Sequence, residues 1–237
     1  MESYRSRQIL HRVLDEGRDR PAEMLVRWCA EVLPVSGAAV VLMSGDQPAG
    51  TVASSGAAAA DLEELQFVLG EGPCVECSRT GRAVLVPDVS DLARDRWPAF
   101  AARAVERGAR ALFSLPLRVG EVRLGVLDLH RDAPGAIVDG DLAEALAFAD
   151  AATALLLHLQ ERALTGASPG ALPPALDLEH GRAVVHQATG MVSVQTGLDL
   201  PAALVLLRAR AYTLDMTVAE VARGVVDGTL DVRRPAP

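Results

Sequence analysis

The chain has 237 residues, half of them hydrophobic, three cysteines and a formal net charge of −8. This length and apolar content support one large or two modest domains with true cores. The charge excludes a general polyanion binder, and so few cysteines exclude a disulfide scaffold.

Residues 5–16 place Ile9, Leu10, Val13 and Leu14 on one helical side before Gly17 and Pro21 interrupt. A second helix is predicted over 21–33. Pro21 suits its first turn, and Met24, Leu25, Trp28, Cys29 and Val32 recur at spacings of three and four. Residues 38–43 read as a buried strand. Turn chemistry at 45–48 sends the chain back along 51–54. Residues 57–68 read as a helix. Gly70-Glu71-Gly72-Pro73-Cys74 breaks it and opens a short one ending near Arg79. A strand over 83–86 stops at Pro87, a helix follows over 98–107, and strands over 111–117 and 122–129 are joined at Gly120.

One long helix is predicted over 141–164, roughly 36 Å long, with Asp139 and Asp141 as its N-terminal cap. Leu142, Ala145, Ala149, Ala152, Leu156, Leu159 and Ala163 form a heptad seam along it. Two readings stay open: the seam packs on the sheet, or it joins two copies of the chain. Residues 165–174 have linker composition. Three helices then follow, over 175–196, over 200–213, and from a capping box at Thr217–Glu220 with Val218, Val221, Ala222 and Val225 as its apolar face.

The positive charge is entirely arginine and unevenly spread. Residues 175–237 hold six Arg against seven Asp and Glu, and the remainder 17 against 24. Any nucleic acid must therefore be met by a local arginine group in the near-neutral C-terminal part. The N-terminus lacks an apolar signal core. No run of about 20 uncharged apolar residues stands out, so a cytoplasmic protein without a membrane span is expected.

The order of elements, with Gly70-Glu71-Gly72-Pro73-Cys74, Arg79-Thr80-Gly81-Arg82-Ala83-Val84, Pro87-Asp88 and the strand Gly108 to Leu117, resembles a GAF domain. The segment His186-Gln187-Ala188-Thr189-Gly190-Met191, with Ala203 to Tyr212 and Val218 to Val226, resembles an ANTAR domain. The resemblance implies an α+β fold: a GAF-like antiparallel sheet flanked by helices, then a long helix and a small three-helix ANTAR-like bundle. It divides the chain into a sensor domain at 1–164, a linker at 165–174 and an RNA-binding domain at 175–237. It further implies a signal-responsive regulator of the actinobacterial one-component type, acting by transcription antitermination on paired RNA stem-loops. The GAF domain would take an unknown small molecule or a protein partner, and the chain would work as a homodimer. One departure is local. The ANTAR pattern usually reads Gln-Ala-Lys-Gly, whereas here Thr189 replaces the lysine and removes a fixed charge from that point.

RNA loops are recognised by stacking and base-edge hydrogen bonds, with arginine on phosphates. The candidates are Arg182, His186, Gln187, Thr189 and Gly190 on the first C-terminal helix and Arg208, Arg210 and Tyr212 on the second. Arg182, His186 and Thr189, spaced four and three apart, share a face. Ala188 and Gly190 are small enough for a helix or an RNA backbone to approach closely. Ligand or redox candidates are Cys74, Cys77, Asp88 and Asp128. Cys74-Val75-Glu76-Cys77 has three readings: a redox pair whose first thiol is acidified at a helix start, a metal half-site completed by a second subunit, or two buried small hydrophobes. No catalytic residue, cofactor or metal is expected. The alternatives are a thiol-based GAF enzyme resembling methionine sulfoxide reductases, and a protein-interaction module.

Overall fold

The computed structural model describes residues 3–44, 47–92, 96–166, 182–214 and 216–232, and two compact units divide at Asp177/Leu178. In the N-terminal unit, helices α1 (Tyr4–Gly17) and α2 (Pro21–Val32) precede the hairpin β1 (Gly37–Ser44) and β2 (Gln47–Ser54). Helices α3 (Ala57–Leu69) and α4 (Pro73–Thr80), strand β3 (Val84–Val86) and helix α5 (Pro98–Glu106) follow. The hairpin β4 (Ala111–Val119) and β5 (Val122–Arg131) leads into α6 (Asp139–Gly166). The sheet is antiparallel throughout, in the order β2-β1-β5-β4-β3.

Strand periodicity explains the layering. Successive side chains point to opposite faces, so Val40, Phe113, Leu115, Leu127 and Leu129 enter one core with α1, α2 and α6. Their neighbours Val41, Leu112 and Val126 enter a second core with α3, α4 and α5. The heptad seam of α6 is thereby accounted for. Ala145, Ala149, Ala152, Leu156 and Leu159 are buried inside this unit's own core, so they form no free seam for a second chain. By length and composition α6 is apolar enough to cross a membrane, against the expectation that the chain has no such span. Half of that stretch is buried inside the structure.

Asp139 and Asp141 stand inside the first turn of α6 rather than before it. There they favour the helix through its N-terminal dipole. The sequence-predicted linker largely lies outside the described residues, as does the predicted helical stretch 175–181.

The second unit holds α7 (Arg182–Thr196), α8 (Leu200–Leu214) and α9 (Val218–Val226). Its core is Val185, Ala188, Val192, Ala203, Leu207, Ala211, Val218, Val221 and Ala222, all buried. The capping box is complete. Thr217 Oγ1 accepts from Glu220 N at 3.2 Å, and Glu220 Oε2 accepts from Thr217 N at 2.8 Å.

Candidate functional site

The loop Gly70–Cys74 assigns a separate task to each residue. Gly70, at φ 65°, ends α3 in the left-handed conformation that glycine adopts without penalty. Glu71 Oε2 accepts from Ala99 N at 3.1 Å and so caps the start of α5. Gly72, at φ 129°, leaves room for Gln66, because a Cβ there would lie 2.5 Å from Gln66 Oε1. Pro73 occupies the first turn of α4. Gln66 Oε1 then accepts from Cys74 N at 2.8 Å, while its Nε2 donates to Glu63 Oε1 at 3.1 Å. Glu63 and Gln66, one turn apart on α3, thus tie that helix to the start of α4.

The sheet supplies the other half. Ser114 on β4 and Asp128 on β5 are cross-strand partners, and both point to the α3/α4 side. Ser114 Oγ donates to Asp128 Oδ1. Asp128 Oδ2 is buried without a hydrogen-bond partner. One ligand-type atom each from Glu63, Cys74 and Asp128 lie within 4.8 Å of one another, and all three residues are buried. A small cavity lined by Glu63, Gln66, Ser114, Asp128 and His130, with Pro73 and apolar neighbours, opens here. It has room for about one water molecule.

Burial dominates the electrostatics. It pushes the Asp128 carboxyl up to about 6, against the lowering pull of Ser114, Cys74 and Glu63. Burial, then the negative charges of Asp128 and Glu63, raise the Cys74 thiol well above its ordinary value. Cys77 is raised too, by burial and then by Asp128. Acidification at the start of α4 therefore does not occur. Desolvation outweighs the helix dipole, and both thiols stay protonated at neutral pH. His130, packed over Gly37, is lowered by burial and stays neutral.

Among the sequence candidates, Cys74 and Asp128 come together. Cys77 sits in the second hydrophobic core. Asp88 does not line the cavity; it caps the 3-10 turn Val89–Asp91, accepting from Ser90 N at 3.0 Å and from Arg110 at 3.1 Å. Glu63, Gln66 and Ser114 were missed. A signal existed in Glu63 and Gln66, two polar residues one turn apart beside the apolar positions Leu62, Leu65 and Phe67 of α3. Another was the lone hydroxyl of β4, opposite Asp128 across a hairpin whose turn was recognised.

In the second unit His186 and Gln187 are exposed on α7, and Tyr212 is 69% exposed on α8. Arg208 and Arg210 are half-buried and engaged by neighbouring groups. Thr189 is buried, and its hydroxyl donates to Val185 O at 2.7 Å. It acts within its own helix and offers little to a ligand. Gly190 is half-buried with nothing within 4 Å of a Cβ placed on it. α7 begins at Arg182, whose side chain lies outside the described residues.

A five-stranded antiparallel sheet between two helical layers, with a small polar chamber on one face, defines a three-layer α+β domain. The chain belongs to the GAF domain family, which it matches over residues 19–156, and residues 179–226 match the ANTAR domain. GAF domains are sensory and ANTAR domains are RNA-binding antitermination modules, so the chain combines a regulator's input and output.

Among solved structures, the GAF domain of the Acinetobacter phosphoenolpyruvate-protein phosphotransferase is 14% identical with a TM-score of 0.51. It covers 67% of this chain and 97% of that chain. The corresponding Coxiella burnetii domain is 15% identical with a TM-score of 0.51, covering 68% and 99%. The free methionine-R-sulfoxide reductase from Neisseria meningitidis, solved with its substrate, is 17% identical with a TM-score of 0.50, covering 66% and 88%. At these identities the likeness is one of fold alone. No curated protein matches the chain.

Proposed function

We propose that the chain is a signal-responsive regulator that binds paired RNA stem-loops through α7 and α8 and acts by transcription antitermination. The GAF unit is its input. The reading rests on the ANTAR match across α7–α9, and one structural observation supports the surface. Gly190 sits mid-helix, where glycine costs about 0.8–1 kcal/mol relative to alanine, yet no neighbour within 4 Å requires its smallness. His186, four residues before it, and Gln187, three before it, share its face and are exposed. An RNA backbone approaching this face meets no side chain at Gly190, while His186 and Gln187 offer hydrogen bonds to base edges. Tyr212 offers an exposed ring for stacking, and Arg208 and Arg210 contribute positive potential. Arg182, at the start of α7, extends the same set. Thr189 serves the interior of the bundle.

Cys74 is assigned no nucleophilic role, since a buried thiol with a raised pKa is a poor nucleophile. This supports a regulator over a thiol enzyme. The remaining assignments belong to the same reading: a sensor up to about residue 164, a linker at 165–174, an effector from 175, a homodimer as the working form and a cytoplasmic location. A gel shift with a tandem-hairpin RNA tests it. Preferential binding over a scrambled hairpin pair is expected, and equal affinity for both would refute specific recognition.

A further inference from the structure

We propose that Glu63, Cys74 and Asp128 form a binding site for one borderline divalent transition-metal ion of the zinc, iron or cobalt type, placed at the heart of the GAF unit. This names the class of input for the sensing role proposed above. The binding claim itself stands on the geometry of the site.

Three independent features converge. The first is the donor set. One ligand atom from each residue lies within 4.8 Å of the others. Ligand atoms around a tetrahedral zinc are about 3.5 Å apart, so side-chain adjustments of roughly an ångström close the ring. The second is a buried carboxylate oxygen that closes no hydrogen bond of good geometry. Asp128 is 7% exposed, its Oδ1 is taken by Ser114, and its Oδ2 closes no hydrogen bond of good geometry, while the Cys74 thiol and the Glu63 carboxyl beside it act on the same carboxylate. A buried acceptor in that condition is costly unless a cation or proton meets it. The third is space. The adjoining cavity holds about one water molecule, which suits a solvent ligand in the fourth position left by three protein ligands. It is too small for an organic molecule.

The surroundings are those of a metal site. Gln66 Nε2 donates to Glu63, and Ser114 Oγ donates to Asp128, so two of the three ligands are oriented by a second hydrogen bond. The metal displaces the Cys74 thiol proton to solvent on binding, and one thiolate beside two carboxylates favours a borderline ion over magnesium or calcium, which prefer all-oxygen shells. Cys77, three residues after Cys74, is not a member of the group. The pairing of cysteines suggested by the sequence is thereby replaced by one cysteine with two carboxylates from other elements.

The test is titration of tag-free, full-length protein with Co2+ after chelator treatment. The expected result is one bound ion per chain, with a thiolate-to-cobalt charge-transfer band in the near ultraviolet that Zn2+ removes and millimolar Mg2+ leaves in place. Cys74→Ser is expected to abolish the band, and Asp128→Asn to weaken binding by roughly tenfold or more. Cys77→Ser and Cys29→Ser are expected to keep both. Circular dichroism identifies any variant that fails to fold. No stoichiometric binding to the wild-type chain, a band that survives Cys74→Ser in folded protein, or displacement by Mg2+ would each overturn the proposal. The readout needs no RNA, so its failure is separate from failure of the RNA-binding reading.

Discussion

Gly190→Ala separates stability from function in a single substitution. A Cβ at this position meets nothing within 4 Å, so the methyl enters open space without repacking. Alanine in a helix interior is favoured over glycine by about 0.8–1 kcal/mol. A gain of that size corresponds to roughly 4–8 °C in a domain of about 60 residues. The same methyl would stand between α7 and an RNA backbone approaching along the face of His186 and Gln187. A tenfold loss of affinity, about 1.4 kcal/mol, is the expected counterpart. Thermal unfolding of the full-length chain, with hydrogen exchange resolving the α7 amides, reads the first effect, and a gel shift on tandem hairpins reads the second. Raised stability with unchanged RNA affinity would refute the use of this face. Lowered stability would refute the open flank itself.

Tyr212→Ala should weaken hairpin binding by about 1–3 kcal/mol if the exposed ring stacks a base, while Tyr212→Phe should retain most of the affinity in the same gel shift. Gly72→Ala forces a side chain into φ 129° and against Gln66 at 2.5 Å; a loss of about 1–3 kcal/mol in denaturant unfolding of the GAF unit is expected. Thr217→Ala should remove the α9 cap at a cost of about 1 kcal/mol. The cap also carries a pH dependence, because hydrogen bonds to Thr217 hold the Glu220 carboxyl below its ordinary value. A lowered folded-state pKa means that this contribution is present above the unfolded pKa and is lost as pH falls through the lower folded value. Glu220→Gln should flatten that acid limb of an α9-specific unfolding curve.

The fold was legible because each element announces itself locally. Pro21, Pro73 and Pro98 open helices, Gly70 and Gly81 close them, and β5 alternates between two cores. Residues such as Leu127 and Leu129 need only a strand period to be placed. The site was half legible for a physical reason. Cys74 and Asp128 lie in segments whose local pattern draws the eye, whereas Glu63, Gln66 and Ser114 acquire meaning only when α3 and the β4–β5 hairpin meet. Of the three readings of Cys74, acidification at the helix start fails for a related reason. A helix start lowers a thiol pKa by proximity, but the burial that reverses the shift comes from α3 and the sheet, which the helix sequence does not contain. The seam of α6 shows the same gap. Its spacing suits a partner helix or a domain core equally, and only the strand residues beneath it decide.

The placement of Asp128 gives the chamber a route to the opposite side of the sheet. Its chain neighbours Leu127 and Leu129 point the other way, into the core containing Ala145, Phe148 and Ala152 of α6. Two strands make the connection stiff, since Ala39 on β1 and Ser114 on β4 flank Asp128 in register. A densely packed core transmits a displacement of its lining instead of absorbing it. A group captured at Asp128 is therefore expected to act on α6 through β5, and α6 is the last described element of the unit before the three C-terminal helices. Hydrogen exchange measured with and without bound Co2+ tests the route. Altered protection is expected at the α6 amides from Ala145 to Leu159, with α1 following because it packs on α6. Bound metal with unchanged α6 exchange would refute transmission through β5 and leave the chamber a local stabiliser of the GAF unit.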